Sequence, residues 1–494
     1  MNALSPGLNV RGHGFQMHHY RNCAGDPLKN WRCELLSLAY FSLQQQREVG
    51  AAPHRGNANR PKRMQGKANT IKAPTNKHGV AKTPSVTCKP DIDMSDQYLT
   101  TACSTATLSP SNRATHPAKK ATAPPGKKTT LGDTTVSIEF IGMIQTRKVS
   151  ETHAPQGPVV DIGYVEQFAQ AHEAAGFDRI LVPHHSTSPD ALLTVAHAAS
   201  VTNKVHFMLA HRPGFVAPTL AARQLATLDH YSGGRLAVHI ISGGDDAEQR
   251  RDGDYLSHDE RYARTDEYLH ILRRIWTEAK PFDHNGQYYR FEQGFSEVKP
   301  VQQPHIPVYF GGASAPALEI AGRHADVYAL WGESKAQVRE QVARVRAEAA
   351  KHGRTVRFSV SFRPILAATE AAAWERAEHI LEETRRLRAA QGLGVGGPAQ
   401  SEGARRLLAA SGESDRVDER LWTGVAKEIG GRSNSTALVG TPEQVAETLA
   451  EYYALGVSTF LVRGFDPLED AIDYGRELIP ATRERIARVE RVAA

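Results

Sequence analysis

Residues 205–241 read VHFMLAHRPGFVAPTLAARQLATLDHYSGGRLAVHII. Val205 to Ala210 is a short, mainly apolar run, Pro218 to Asp229 reads as a helix, and Leu236 to Ile241 starts a second apolar run after a Ser-Gly-Gly break. Two such strands joined through a helix form a parallel βαβ unit. The same order extends outward. Upstream lie a strand over Val136 to Ile144, a helix over Tyr164 to Ala175 ended by Gly176, a strand over Ile180 to Pro183 and a helix over Ala191 to Ala199. Downstream, a longer connection holds a helix over Asp259 to Glu278. Strands at Pro307 to Phe310, Val327 to Trp331 and Arg357 to Ala367 follow, each with its helix. Val457 to Val462, fed by a helix from Pro442 and followed by one from Leu468, is the eighth. Strict alternation through eight units predicts an α/β fold, a closed (β/α)₈ TIM barrel with insertions. An open doubly wound sheet is the competitor. The one dinucleotide-like match, Gly392-Leu-Gly-Val-Gly-Gly397, follows a helical run and not a strand, so it reads as a loop, and there is no nicotinamide fingerprint. Ser257-His-Asp-Glu260 and Thr441-Pro-Glu-Gln444 have capping-box spacing and mark two helix starts.

The 494 residues carry a net charge of +6, unevenly distributed. Residues 1–134 hold 19 Lys+Arg against 7 Asp+Glu, a balance of +12, which leaves 41 against 47, or −6, for residues 135–494. The basic character therefore belongs to the leader, whose Lys-, Thr-, Pro- and Asn-rich stretches have too little apolar surface to offset the entropy of ordering. The expected organisation is a disordered, low-complexity basic extension over 1–134 and one barrel domain over 135–494. A nucleic-acid-binding arm is the weaker reading of the leader, which lacks an aromatic-interleaved motif. Cys23, Cys33, Cys88 and Cys103 all lie in the leader, so the barrel can form no disulfide and no Cys-ligated metal site. No apolar run long enough for a membrane span and no secretory signal are present, which points to a cytoplasmic protein.

Five segments carry a family resemblance: HRPGFVAPTLAARQLATLDHYSGGRLAVHIISGGDD from His211, SHDERYARTDEYL from Ser257, PVYFGGASAPALEIA from Pro307, DVYALWGES from Asp326 and STALVGTPEQVAETLAEYYALGVSTFLVRG from Ser435. In colinear order over roughly residues 136–490, they resemble the bacterial luciferase-like flavin-dependent monooxygenases and, within these, the alkanesulfonate monooxygenases. The resemblance implies reduced FMN (FMNH₂) as cofactor, O₂ activated as a C4a-peroxyflavin, and oxygenation of a small organic, organosulfur-type substrate. It also implies a separate NAD(P)H:FMN reductase as partner and a homo-oligomer. A deazaflavin-dependent oxidoreductase of the same superfamily and a non-catalytic flavin-binding protein are the alternatives.

Active sites of such barrels gather at the C-terminal strand ends. Here those ends carry Gln145-Thr146-Arg147, His184-His185, His211-Arg212, Ser242, Gly311-Gly312-Ala313-Ser314, Trp331, Arg363 and Arg463-Gly464-Phe465, a polar and cationic ring. The Gly-Gly-Ala-Ser turn before a helix offers N–H groups and a hydroxyl to a phosphate, with Ala313 and Ser314 as contacts. The resemblance adds Tyr262 and His258 near that phosphate. Ser242 and His211 are candidates for the flavin ring and Trp331 for the pocket wall. His185 is the candidate acid or base, with His184 equally eligible. Arg363 is a candidate cation for an acidic substrate, and Arg432 matches the family's loop arginine. Where alkanesulfonate enzymes place Cys, Arg, His and Tyr, this chain has Ser188, Ser361, Arg363 and Phe465. The stretch from Ala389 to Asn434 reads as an insertion able to act as a lid.

Overall fold

The computed structural model describes residues 138–394, 399, 401–410, 414–431 and 435–493. The basic leader, Arg432 and part of the glycine-rich loop at 392–397 lie outside the described residues. In chain order the elements are β1 (Glu139–Met143), α1 (Ile162–Ala174), β2 (Arg179–Val182), α2 (Ala191–Ser200), β3 (His206–His211), α3 (Pro218–Tyr231), β4 (Leu236–Ile240), α4 (Asp246–Arg251) and α5 (His258–Thr277). A hairpin of β5 (Phe282–Asn285) and β6 (Arg290–Gly294) precedes β7 (Val308–Gly311), α6 (Ala315–His324), β8 (Val327–Trp331), α7 (Lys335–Ala350), β9 (Arg357–Leu366) and α8 (Glu370–Ala390). The insertion supplies α9 (Glu402–Ala410), β10 (Leu421–Trp422) and α10 (Gly424–Glu428). The chain ends with β11 (Ala437–Gly440), α11 (Pro442–Ala454), β12 (Thr459–Val462), α12 (Pro467–Asp473), a short π-helical turn and α13 (Ile479–Ala493).

Strands β1, β2, β3, β4, β7, β8, β9 and β12 pair in parallel around a ring. Pairing of Glu139 with Thr459 and of Phe140 with Phe460 closes it. These are the eight strands read from the sequence. Successive side chains alternate between the two faces of a barrel strand. Ile141, Met208, Ala237, Tyr309, Val327 and Leu461 pack inside the ring, whereas Phe140, Ile180, Phe207, Leu209, Val238 and Phe310 pack outward under the helices. Both expected capping boxes form, at Ser257 with Glu260 and at Thr441 with Gln444. No helix among the described residues is long and apolar enough to cross a membrane.

Two features depart from the sequence reading, and each rests on contacts distant in sequence. The β5–β6 hairpin is fixed by one carboxylate of α5, because Glu267 accepts hydrogen bonds from the Tyr288 and Tyr289 amides and pairs with His284. Its polar strands FDHN and RFEQG give no alternation to read. In addition, a strand not read from the sequence, β11, lies along the far half of β9, whose ten residues match the run expected there. The first half of β9 pairs with β8 and β12, and its second half pairs with β11. Thr436 lies against Gly332, so β11 continues the wall beyond the end of β8.

The turn into β7 hangs on Asp229, fully buried near the end of α3. Its carboxylate accepts from the Val301 and Gln302 amides at 2.8 and 3.1 Å and from Gln302 Nε2 at 2.7 Å. Asp229→Ala strands these donors and is expected to lower stability by roughly 2–4 kcal/mol. A urea midpoint equal to that of the wild type would rule out this anchoring role.

Candidate active site

The apolar filling of the barrel stops short of the C-terminal strand ends. A cavity of about 1230 Å³ opens above it, larger than the roughly 300–1,000 Å³ that usually holds one small ligand. Its lower wall is Met143, Leu181, Met208, Ala210, Ala329 and Leu461, and its upper wall is polar.

The turn Gly311-Gly312-Ala313-Ser314 joins β7 to α6 on one side of this cavity. Gly312 has φ +142°, and a Cβ there would lie 2.8 Å from both the Tyr262 hydroxyl and the Ala317 Cβ. A Cβ at Gly311 would lie 2.9 Å from the Ala329 carbonyl oxygen. The two glycines therefore keep a concave backbone open. The Tyr328 hydroxyl donates to the Gly312 carbonyl and holds the turn from behind. Ser314 is the N-cap of α6 but makes no capping bond. By contrast, the side chains of Ser257, Ser334 and Thr441 all cap their own helices. The Ser314 Oγ is buried and makes no hydrogen bond of good geometry; its polar neighbour is the Tyr262 hydroxyl, whose contact with Ser314 opposes part of the effect of burial on the phenol. Burial raises the Tyr262 pKa, which keeps the phenol a neutral donor. Arg344 of α7 also lines the cavity, steadied by Gln341 at 2.9 Å. His258 stands at the mouth, its ring 4.8 Å from that of Tyr262 and its Nδ1 2.7 Å from the Asp259 carboxylate. A hydroxyl not spent on capping its helix, a turn at a helix N-terminus, a neutral phenol and a guanidinium together fit a phosphate monoester.

The two adjacent histidines after β2 diverge. His184 lines the cavity, and its Nε2 is buried without a partner. Burial, and then the Arg212 cation, hold its pKa below the ordinary imidazole value against the pull of Glu248, Asp252 and Asp190. Arg212 is itself fixed by two contacts to Glu248, at 2.9 and 2.8 Å. His185 instead turns to the loop, with Nδ1 2.9 Å from the Thr187 hydroxyl, and does not line the cavity.

Strand parity sorts the others. Met208 and Ala210 face the lumen, so His211 faces outward, where its Nε2 meets the Tyr268 hydroxyl at 2.7 Å and burial lowers its pKa to about 4. Ser242 lines the cavity with its hydroxyl 3.0 Å from that of Thr265. Trp331 forms part of the wall and packs against Gly403 of α9. Ser401, Glu402, Gly403 and Arg405 bring the described part of the insertion over the mouth. Arg406 ties this helix to Glu333 at 3.0 Å and Glu340 at 3.2 Å. His239 and Arg344 line the cavity without having been singled out from the sequence. His239 had a signal, as the one polar residue in LAVHII, whereas Arg344 sits among similar arginines on a surface helix.

Arg363 does not reach this cavity. It is fully buried, with Nη1 2.6 Å from Glu151, Nη2 donating to the Gly464 carbonyl at 2.9 Å, and its guanidinium 3.5 Å above the Phe465 ring. Arg463 shares Glu151 at 2.7 Å. Burial lowers the Arg363 pKa to about 10, with Arg463 adding to the effect and Glu151 opposing it. Its charge is thus engaged inside the protein, and it is not presented to a ligand in the cavity. Ser361, two residues earlier, does line the cavity.

Burial alone would raise the Glu151 pKa, but Arg363 and Arg463 outweigh it and hold the carboxyl at about 2, below its ordinary 4.5. Because the folded value is the lower one, this pairing stabilises the fold above about pH 4.5 and is lost as pH falls toward 2. Glu151→Gln is expected to flatten that part of the acid-unfolding curve and to cost about 3–5 kcal/mol at neutral pH. An acid profile and stability unchanged by the substitution would contradict an ionised Glu151.

Among solved structures, a riboflavin lyase with modified FMN and riboflavin is 21% identical, with a TM-score of 0.59 over 71% of this chain and 92% of that one. An EDTA monooxygenase from Chelativorans sp. BNC1 is 18% identical, with a TM-score of 0.56 over 71% and 94%. A secondary alcohol dehydrogenase dependent on coenzyme F420 is 17% identical, with a TM-score of 0.52 over 70% and 99%. At these identities the likeness shows the shared barrel. Membership is decided by the family model described as luciferase-like monooxygenase, which matches residues 138–459. The chain belongs to the luciferase-like monooxygenase family.

Proposed function

We propose that this protein is an FMN-dependent monooxygenase that oxygenates a small organic substrate with O₂, its reduced FMN supplied by a separate NAD(P)H:FMN reductase. The observation that carries this reading is the glycine turn before α6, kept open at Gly311 and Gly312, whose N-cap Ser314 does not cap its own helix and lines the same cavity as Tyr262 and the apolar lumen wall. The family supports the monooxygenase class. When bound in its reduced state, FMN supplies the two electrons with which O₂ gives one oxygen atom to the substrate and the other to water.

The chain's own contribution follows from the cavity. Ser314, the turn amides, Tyr262 and Arg344 hold the phosphate end. The wall of Met143, Leu181, Met208, Ala210 and Leu461 accepts a flat apolar ring and keeps water from it. Trp331 and Gly403 narrow the mouth. His184, which lines the cavity and whose charge burial and then Arg212 disfavour, serves as a base there. The substrate class is read from resemblance, as organosulfur. The engagement of Arg363 by Glu151 and the Ser188, Ser361 and Phe465 positions set the site apart from the sulfonate pattern. A deazaflavin-dependent oxidoreductase is the alternative, as a coenzyme F420-dependent dehydrogenase shares the barrel, and oxygen dependence separates the two.

Gly312→Ala places a methyl group against Tyr262 and is expected to weaken FMN binding by tenfold or more in a fluorescence-quenching titration. An unchanged Kd would remove the phosphate from this turn. His184→Ala is expected to keep FMN affinity within about twofold of wild type while turnover with reduced FMN and ¹⁸O₂ falls about 100-fold. Full ¹⁸O incorporation by that variant would take the proton step away from His184. Turnover that proceeds without O₂ in the wild type would favour the deazaflavin reading.

A further inference from the structure

One polar side chain in the floor of the cavity has no role in the account above. His239 lies on β4 two residues beyond Ala237, which packs in the lumen, and its own side chain lines the cavity. In the register of the sheet it stands beside Ala210 on β3 and Tyr309 on β7, both inward-facing. The surrounding wall is Met143, Leu181, Met208, Ala329 and Leu461. The Nδ1 of His239 is enclosed in the wall with no hydrogen-bond partner, while the residue as a whole is only partly buried and lines the cavity, so the ligand space meets the other edge of the ring. Buried donors in folded proteins are nearly always paired, so the enclosed Nδ1 is the nitrogen left without a proton and the N–H sits on Nε2. Burial drives the His239 pKa down to about 4. The ring is therefore neutral at physiological pH and carries one N–H and one lone pair.

We infer that His239 reads the ring end of the cofactor, donating an N–H hydrogen bond into the cavity to an acceptor on the polar edge of the isoalloxazine. The inference rests on the FMN reading and deepens it. The lumen divides recognition between two ends, with the Gly311–Ser314 turn taking the phosphate and His239 the heterocycle. An apolar floor alone would accept any flat hydrocarbon. One donor fixed within it selects a ring with an acceptor on its edge and sets the ring's rotation, since the acceptor must face β4.

The test uses the full chain and two ligands, FMN and riboflavin, which share the ring and differ in the phosphate. Dissociation constants are measured by fluorescence quenching for wild type, His239→Leu, His239→Asn and Ser314→Ala. His239→Leu is expected to weaken FMN and riboflavin by the same factor, roughly tenfold, which corresponds to the loss of one buried hydrogen bond. His239→Asn, which keeps a donor, is expected to recover most of the loss. Ser314→Ala is expected to weaken FMN and leave riboflavin unchanged. Because His239→Leu replaces an unpartnered polar ring with an apolar side chain, the ligand-free Tm is expected to stay level or rise while affinity falls. A purely structural histidine would lower the Tm instead. If wild type binds both flavins and His239→Leu binds them equally well, the role of His239 is overturned and the FMN reading stands. If wild type binds neither flavin, both fall.

Discussion

Closure of the ring between β12 and β1 is the constraint on which the rest depends. Once Glu139 and Thr459 are in register, all eight parallel strands point their C-terminal ends to one rim. Residues as far apart in sequence as Met143 and Leu461 then share one wall. The barrel is filled from below by Ile141, Ala237, Tyr309 and Val327, and the filling gives way to an open cavity where the strands end in glycine, serine and histidine. That gradient from packed apolar floor to polar rim makes the upper lumen a binding chamber. In the lower half the same strands behave as an ordinary core.

The distribution of charge sharpens the chamber. Arg363 is paired with Glu151, Arg212 with Glu248 and Arg406 with Glu333, so these strong cations are neutralised and serve to fix loops and the insertion helix. Ser314, His184 and His239 line the cavity without an ion-pair partner of this kind, and the two histidines each keep one enclosed ring nitrogen unpaired. Ser314 at a helix start and His239 in the lumen wall fit a ligand with an anionic end and a polar heteroaromatic end, which leaves His184 for proton transfer. An elongated fatty molecule would satisfy neither Ser314 nor His239.

The eight strands were legible because a parallel barrel strand is buried on both faces and shows as a short apolar run bounded by breakers. For the same reason its parity was not legible. With both faces apolar, nothing in VHFMLAH says that Met208 and Ala210 face inward and His211 outward, or that His239 faces inward in LAVHII. The choice between His184 and His185 depends on the loop conformation, with Arg212 and Glu248 packed beside it. The burial of Arg363 depends on a carboxylate in the loop after β1, which no local pattern links to β9. The Gly-Gly-Ala-Ser turn was legible because its chemistry is backbone chemistry. Open amides at a helix start require only glycine, a small residue and a break in the strand.

The most direct measurement is a crystal structure of the protein with FMN bound. The account expects the phosphate within hydrogen-bond distance of the Ser314 Oγ and the amides of the Gly311–Ser314 turn, with the ring inside the lumen against Met143, Met208 and Leu461. A phosphate held elsewhere, for example against Arg463, or a ring lying outside the barrel, would contradict it.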